Sequence, residues 1–456
     1  MADSRVEDLA SVDRDVARGW AALSRWRVAM ANDPGAHEDQ DPLEAVRRVA
    51  GKATWDALGQ LETTAADAAL RDALRRWVYL LVQARIGRPD ELAWARAASQ
   101  ASGRLAGEQA RPVSWREAWR GVPAARTAGE TSLWLDAAAG AAPEVAAVNH
   151  RSAERRVEVA RRLGVSHPWE AIAGTNPETL RRAARRLLDA TEDLAEAVRR
   201  ERYRAGGGAG GGVAEVLHTA VAREAADGWP AKLGRRWLEE VMGSAAIGLP
   251  LVLPPLPLAL GASSFARALY AFGFSWRLAS PPAGVPFALA HEPGSRAAHR
   301  MGFLLARLTA DATWQARALG VGRRTASAQA RVLAGTALLE VRLLASRLLL
   351  GDDAAPAPRD LFDELGPRLF GVPLDGRLRG AWPPARDDEA ARFVALAESH
   401  LLSEAMRDSF DVDWFSNPRA WATLRASAGS AHQAVDASSL VSQVEMIARA
   451  LEGALG

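Results

Sequence analysis

Eight histidines and no cysteines define the chemistry open to this 456-residue chain. Disulfides, thiolate nucleophiles and zinc–thiolate sites are excluded, so metal chemistry would rest on histidines and carboxylates. His291-Glu292 supplies a His-Glu pair, and His299 follows eight residues later. Two histidines share a zinc ion when a helix carries them on one face at i and i+4. Pro293 and Gly294 interrupt the helix between this pair, so His291 and His299 do not share a face. His400 and Glu404 stand four apart on one helix face and read as a hydrogen-bonded structural pair. Asp411 and Asp413 flank an apparent helix end before Trp414 and Pro418, where carboxylates cap turns. Ser430 follows Gly429 but lacks the Gly-x-Ser-x-Gly elbow of a hydrolase nucleophile.

The elements that position these residues are helices. Asn176-Pro177 is a helix start: a capping side chain, then a proline that sacrifices no intrahelical bond. Leu180, Leu187, Leu188, Leu194 and Val198 line one face of that helix, and Arg181, Arg182, Arg185 and Arg186 line its solvated side. Comparable periodicity recurs over 62–86, 143–164, 323–350 and 387–410, and in Leu440, Val444, Ile447 and Leu451 near the C-terminus. Strand candidates are confined to 248–260 and 284–290. Sixteen tryptophans against three tyrosines point to helix packing, with Trp20, Trp26, Trp55, Trp77, Trp94, Trp115 and Trp119 in the N-terminal half. Each indole N–H is expected to find a partner. The glycine run at 206–212 follows a helix and lacks the Lys and Ser or Thr of a phosphate loop. It reads as a linker or lid between an N-terminal helical lobe, 1–205, and a C-terminal lobe, 213–456.

Three passages carry a resemblance. They are the run Ser263 to Leu269 ahead of Phe272 and Gly273, the helix 295–309 with His299-Arg300-Met301-Gly302-Phe303, and the ending Asp408 to Pro418. Together they span about 245–425, and they resemble the thimet oligopeptidase and oligoendopeptidase F family of helical zinc peptidases. The resemblance implies a mainly α, two-lobed helical clam around a peptide channel, with at most a few short strands near the former active site. It also implies a His-Glu-x-Gly-His motif at 299–303. There His299 takes the first ligand position and Gly302 the motif glycine. Arg300 stands in place of the general base, and Phe303 in place of the second histidine. An arginine does not accept a proton at neutral pH and repels a divalent cation, while a phenyl ring does not ligate zinc. After Glu292 the next glutamate is Glu340, beyond the family spacing for a third ligand.

The expectation is therefore a catalytically inactive member with no metal or other cofactor, which binds a peptide or extended protein segment in its channel. One use would be handling a precursor peptide in a ribosomal natural-product pathway. Arg296, Arg300 and Arg307 fall near one face of the motif helix and are the candidates to meet a carboxylate of that peptide. An active hydrolase with an unusual zinc site and a scaffold with a filled channel are the alternatives. Fifty-seven basic side chains nearly balance 55 acidic ones, which gives no sign of a nucleic-acid partner. The charge-free stretch 243–266 contains four prolines, at 250, 254, 255 and 257, and these argue against a membrane span. The opening residues lack an apolar signal core, so the expected setting is cytoplasmic.

Overall fold

The computed structural model describes residues 8–33, 35, 39–107, 110–205, 212–243, 253, 260–351, 359–382, 388–426 and 437–456. The chain is mainly α. The first helices are α1 (Leu9–Asn32), α2 (Lys52–Gln60) and α3 (Ala65–Gln100). A two-stranded antiparallel hairpin follows, β1 (Ser102–Leu105) and β2 (Arg111–Ser114), pairing Ser102 with Ser114. Then come α4 (Trp115–Ala124), α5 (Ala128–Arg162), α6 (Pro168–Ala173), α7 (Pro177–Ala190) and α8 (Glu192–Ala205). Beyond the glycine run stand α9 (Val213–Thr219), α10 (Arg235–Met242), α11 (Ser263–Ala279), α12 (Phe287–Ala290) and α13 (Arg296–Ala306). The rest are α14 (Ala312–Ala318), α15 (Arg323–Leu350), α16 (Arg359–Phe370), α17 (Glu389–Phe410), α18 (Pro418–Ala426) and α19 (Ala437–Leu455).

The strands lie elsewhere than expected. The segment 284–290 is a turn leading into α12, because the Asp13 carboxylate caps that helix by accepting from the Phe287 and Ala288 amides at 2.9 and 2.7 Å. The hairpin instead packs on α5. There Gly103 is obligatory, since a Cβ would stand 1.8 Å from the Ala137 carbonyl oxygen. Most of 248–260, more than half of the charge-free stretch and residues 206–211 lie outside the described residues. None of the described helices is long and apolar enough to cross a membrane.

The helix start at Asn176 is realised: its side chain accepts from the Glu178 amide at 2.8 Å. The single helix expected beyond it is broken at Thr191. The physical cause is Arg342 of α15, fully buried, which donates to the Leu188 carbonyl, the Thr191 hydroxyl and Glu192 at 2.7–2.8 Å. A buried guanidinium needs such acceptors, and the chain end of α7 supplies them.

The apolar cores cross the expected lobe border. One unites α6, α7 and α8 with α15, α17 and α19. Another joins α3, α4 and α5 to Val216, α16 and Trp382. A third lies wholly beyond the border, with α10, α11, α13, α14 and α18 around Trp276, Trp314 and Trp414. The tryptophans pack as expected, and Trp94, Trp115, Trp119 and Trp382 form a chain of edge-on rings. Their partners are a correction: the Trp55 indole donates to the Leu163 carbonyl at 2.8 Å, but the buried indole nitrogens of Trp94, Trp115, Trp119 and Trp382 have no acceptor among the described residues.

Candidate functional site: a charged cavity beside the histidine helix

The helix carrying His299 is set by what precedes it. Glu292 accepts from the Ala297 amide at 2.9 Å and starts α13. The Pro293–Ser295 turn separates it from His291, as the proline and glycine predict. Gly294 adopts φ 72°, and a Cβ there would come within 2.9 Å of Ala391. His291 points to different company: its ring packs on Phe287 at 4.9 Å. Burial, then the Arg277 charge, pushes its pKa down to about 4.

α13 lies against α11 at very close range. A Cβ on Gly273 would stand 2.6 Å from the Met301 carbonyl oxygen, and one on Gly302 would meet the Tyr270 ring at 2.9 Å. Gly302 therefore has a packing role that needs no metal. The same approach brings Tyr270 onto the motif. Its hydroxyl meets His299 Nδ1, and its ring takes Phe303 edge-on at 5.0 Å. The other histidine nitrogen, Nε2, faces Asp388 at 3.1 Å. Both nitrogens of His299 thus have protein partners, and the ring is buried.

Arg296 and Arg300, expected to meet a carboxylate of a bound peptide, both approach a carboxylate of the protein itself. Arg296 is buried and forks onto Glu398 of α17, its Nε donating at 3.0 Å. Arg300 approaches the same carboxylate at 3.9 Å. The i, i+4 spacing that puts the two arginines on one face also lets one acid on a neighbouring helix hold both. With His299 occupied, Arg300 on Glu398 and Phe303 against Tyr270, residues 299–303 do not fit a zinc ion. Among the described residues, no cluster of three or more histidine or acidic side chains has metal-holding geometry.

One turn further on, the surroundings change. Arg307 begins a 3-10 turn, Arg307–Ala310, and lines a cavity of about 970 Å³. Every lining residue lies between Ala266 and Ala454, on α11, α13, α15, α17, α19 and the turns beside them. The apolar wall includes Phe303, Leu304, Leu333, Val341, Leu344 and Leu396. Six arginines, Arg267, Arg307, Arg347, Arg392, Arg407 and Arg449, face the cavity with only three acidic residues, Asp311, Glu340 and Glu404. Arg347 pairs with Glu389 at 2.5 Å, and Arg407 donates to Asp311 at 2.8 Å.

Glu340 lines this space and is exposed to it. Desolvation raises its pKa against the opposing pull of Arg267 and Arg392. His400 is almost fully buried. Burial, then Arg307 and Arg407, holds its pKa well below the usual range, so it is neutral at pH 7. The hydrogen-bonded His400–Glu404 pair expected from their spacing is not formed among the described residues: both line the cavity instead. The aspartates near the end of α17 do anchor loops. Asp411 caps its own turn through the Val412 amide at 2.9 Å, and Asp413 pairs with Arg317.

Of the arginines singled out from sequence, only Arg307 reaches the cavity. Tyr270, Asp388, Glu398, Glu340 and Arg392 had no local signal. Tyr270 lies 29 residues before His299, Asp388 lies 89 after it, and Glu398 lies 102 after Arg296.

No family model matches the chain. No curated protein matches it either. Among solved structures, it is similar to the crystal structure of oligoendopeptidase-F from Enterococcus faecium, at 10% identity and a TM-score of 0.46. That match covers 97% of this chain and 98% of the other.

Proposed function

We propose that this chain is a non-catalytic peptidase-like protein that holds a peptide or an extended protein segment in the cavity beside α13. The observation that carries the reading is the cavity itself: about 970 Å³, walled by leucine and aromatic side chains and studded with arginines. A site of that volume and mixture suits an apolar chain with a few placed polar groups. Loss of catalysis is supported by the partners of the motif residues. A histidine whose two nitrogens meet Tyr270 and Asp388 would have to give up one of them to ligate a metal. An arginine in the general-base position donates protons rather than accepting them.

Retention without cleavage would suit a protein that presents a ribosomally made precursor peptide to other enzymes in the cytoplasm. The test is co-elution of the purified chain with a mixed peptide library on size exclusion, read by mass spectrometry. Intact retained peptides are the expected result. Shortened peptides would replace this reading with an active hydrolase, and no retained peptide would favour a scaffold.

A further inference from the structure

Resting on that reading, we propose that Arg307 is the seat for a carboxylate of the bound chain, with Arg407 beside it and His400 facing the same space. Arg307 lines the cavity and makes no ion pair among the described residues. Its side chain is half-buried, and its Nη1 is buried with no hydrogen-bond partner among the described residues. Asp311, one of its two nearby acids, is engaged by Arg407; the other, Glu404, is exposed. Burial, then Arg407, brings the Arg307 pKa down to about 10, which still leaves it fully charged at pH 7. A half-buried guanidinium is costly without an anion and presents a fork matched to one.

The surroundings select among anions. Leu304 and Leu344 line the same cavity and suit an apolar chain attached to the charge, while Glu340 and Glu404 oppose a dianion such as phosphate. Neutral His400 adds a ring N–H donor without adding charge. A carboxylate on an apolar peptide meets all three conditions. It can come from the C-terminus or from an Asp or Glu side chain.

The experiment uses one peptide library prepared twice, as free acids and as C-terminal amides, and incubated with the full chain and with Arg307→Gln. Carboxylate-bearing peptides should be retained roughly 10–100-fold better than their neutral counterparts, and Arg307→Gln should abolish the preference. Retained free acids without Asp or Glu would identify the C-terminus as the source. Retained amides enriched in Asp or Glu would identify a side chain. Equal retention of acids and amides with no acidic enrichment would overturn the seat and leave the peptide reading standing. Retention of neither form would overturn that reading as well. If Arg307→Gln fails to fold by circular dichroism, the acid-against-amide comparison on the unaltered chain decides alone.

Discussion

Two ends of one short helical stretch differ in how their charges are met. At the start of α13, Arg296 and Arg300 share Glu398, and His299 sits between Tyr270 and Asp388. At its end, Arg307 faces a cavity with a nitrogen unpartnered among the described residues, beside a neutral buried histidine. The first arrangement holds helices together, since each polar group is answered by another element of the fold. The second leaves a buried guanidinium nitrogen without a partner among the described residues, which costs stability. The arginines at 296 and 300 and the arginine at 307 thus stand in different surroundings on one short stretch.

The largest effect should come from breaking the answered end. Glu398→Ala strands two arginines, one of them buried, and is expected to cost about 3–5 kcal/mol, read from urea denaturation at pH 7. A loss below about 1 kcal/mol would mean the pair is not the clamp described. Gly302→Ala forces a methyl group into the Tyr270 ring, and overpacking of this kind costs about 1–3 kcal/mol. A neutral result would show that α11 and α13 can separate without penalty.

Acid should act through the histidines. His291 and His400 both have folded pKa values below the unfolded value, so the unfolded chain binds protons first as pH falls. Their contribution is intact above about pH 6.5 and is lost on acidification. For His291 the loss runs down to about pH 4 and is on the order of 2–3 kcal/mol. His291→Gln and His400→Gln should each flatten the fall in stability between pH 7 and 4.5; an unchanged slope would assign acid sensitivity elsewhere. Glu340 opposes this trend, because a raised carboxyl pKa favours the fold at low pH and that help fades as pH rises through it.

The smallest stability effect should belong to the unanswered end. Arg307→Gln removes a half-buried charge that has no ion-pair partner among the described residues, and should leave stability unchanged or raise it by about 1 kcal/mol. A loss comparable to that of Glu398→Ala would erase the contrast between the two ends.

Much of this was legible along the chain. Helical periodicity gave the mainly α class, the Asn176 cap sits where its side chain and Pro177 require, and Pro293-Gly294 separates His291 from His299. The occupants of the site were not legible. Arg296 and Arg300 look like a cationic face until Glu398 of α17 is brought against them. Thr191 looks helical until Arg342 claims the carbonyls around it. His400 and Glu404 look like a pair until both line the same space. In each case a partner 100 or more residues away, or a cavity assembled from several helices, decides the outcome. Local sequence determined which residues form helices and which face of each is apolar. Tertiary packing alone decided which charges are neutralised and which face the cavity, because solvation and ion pairing depend on distances that sequence spacing does not encode.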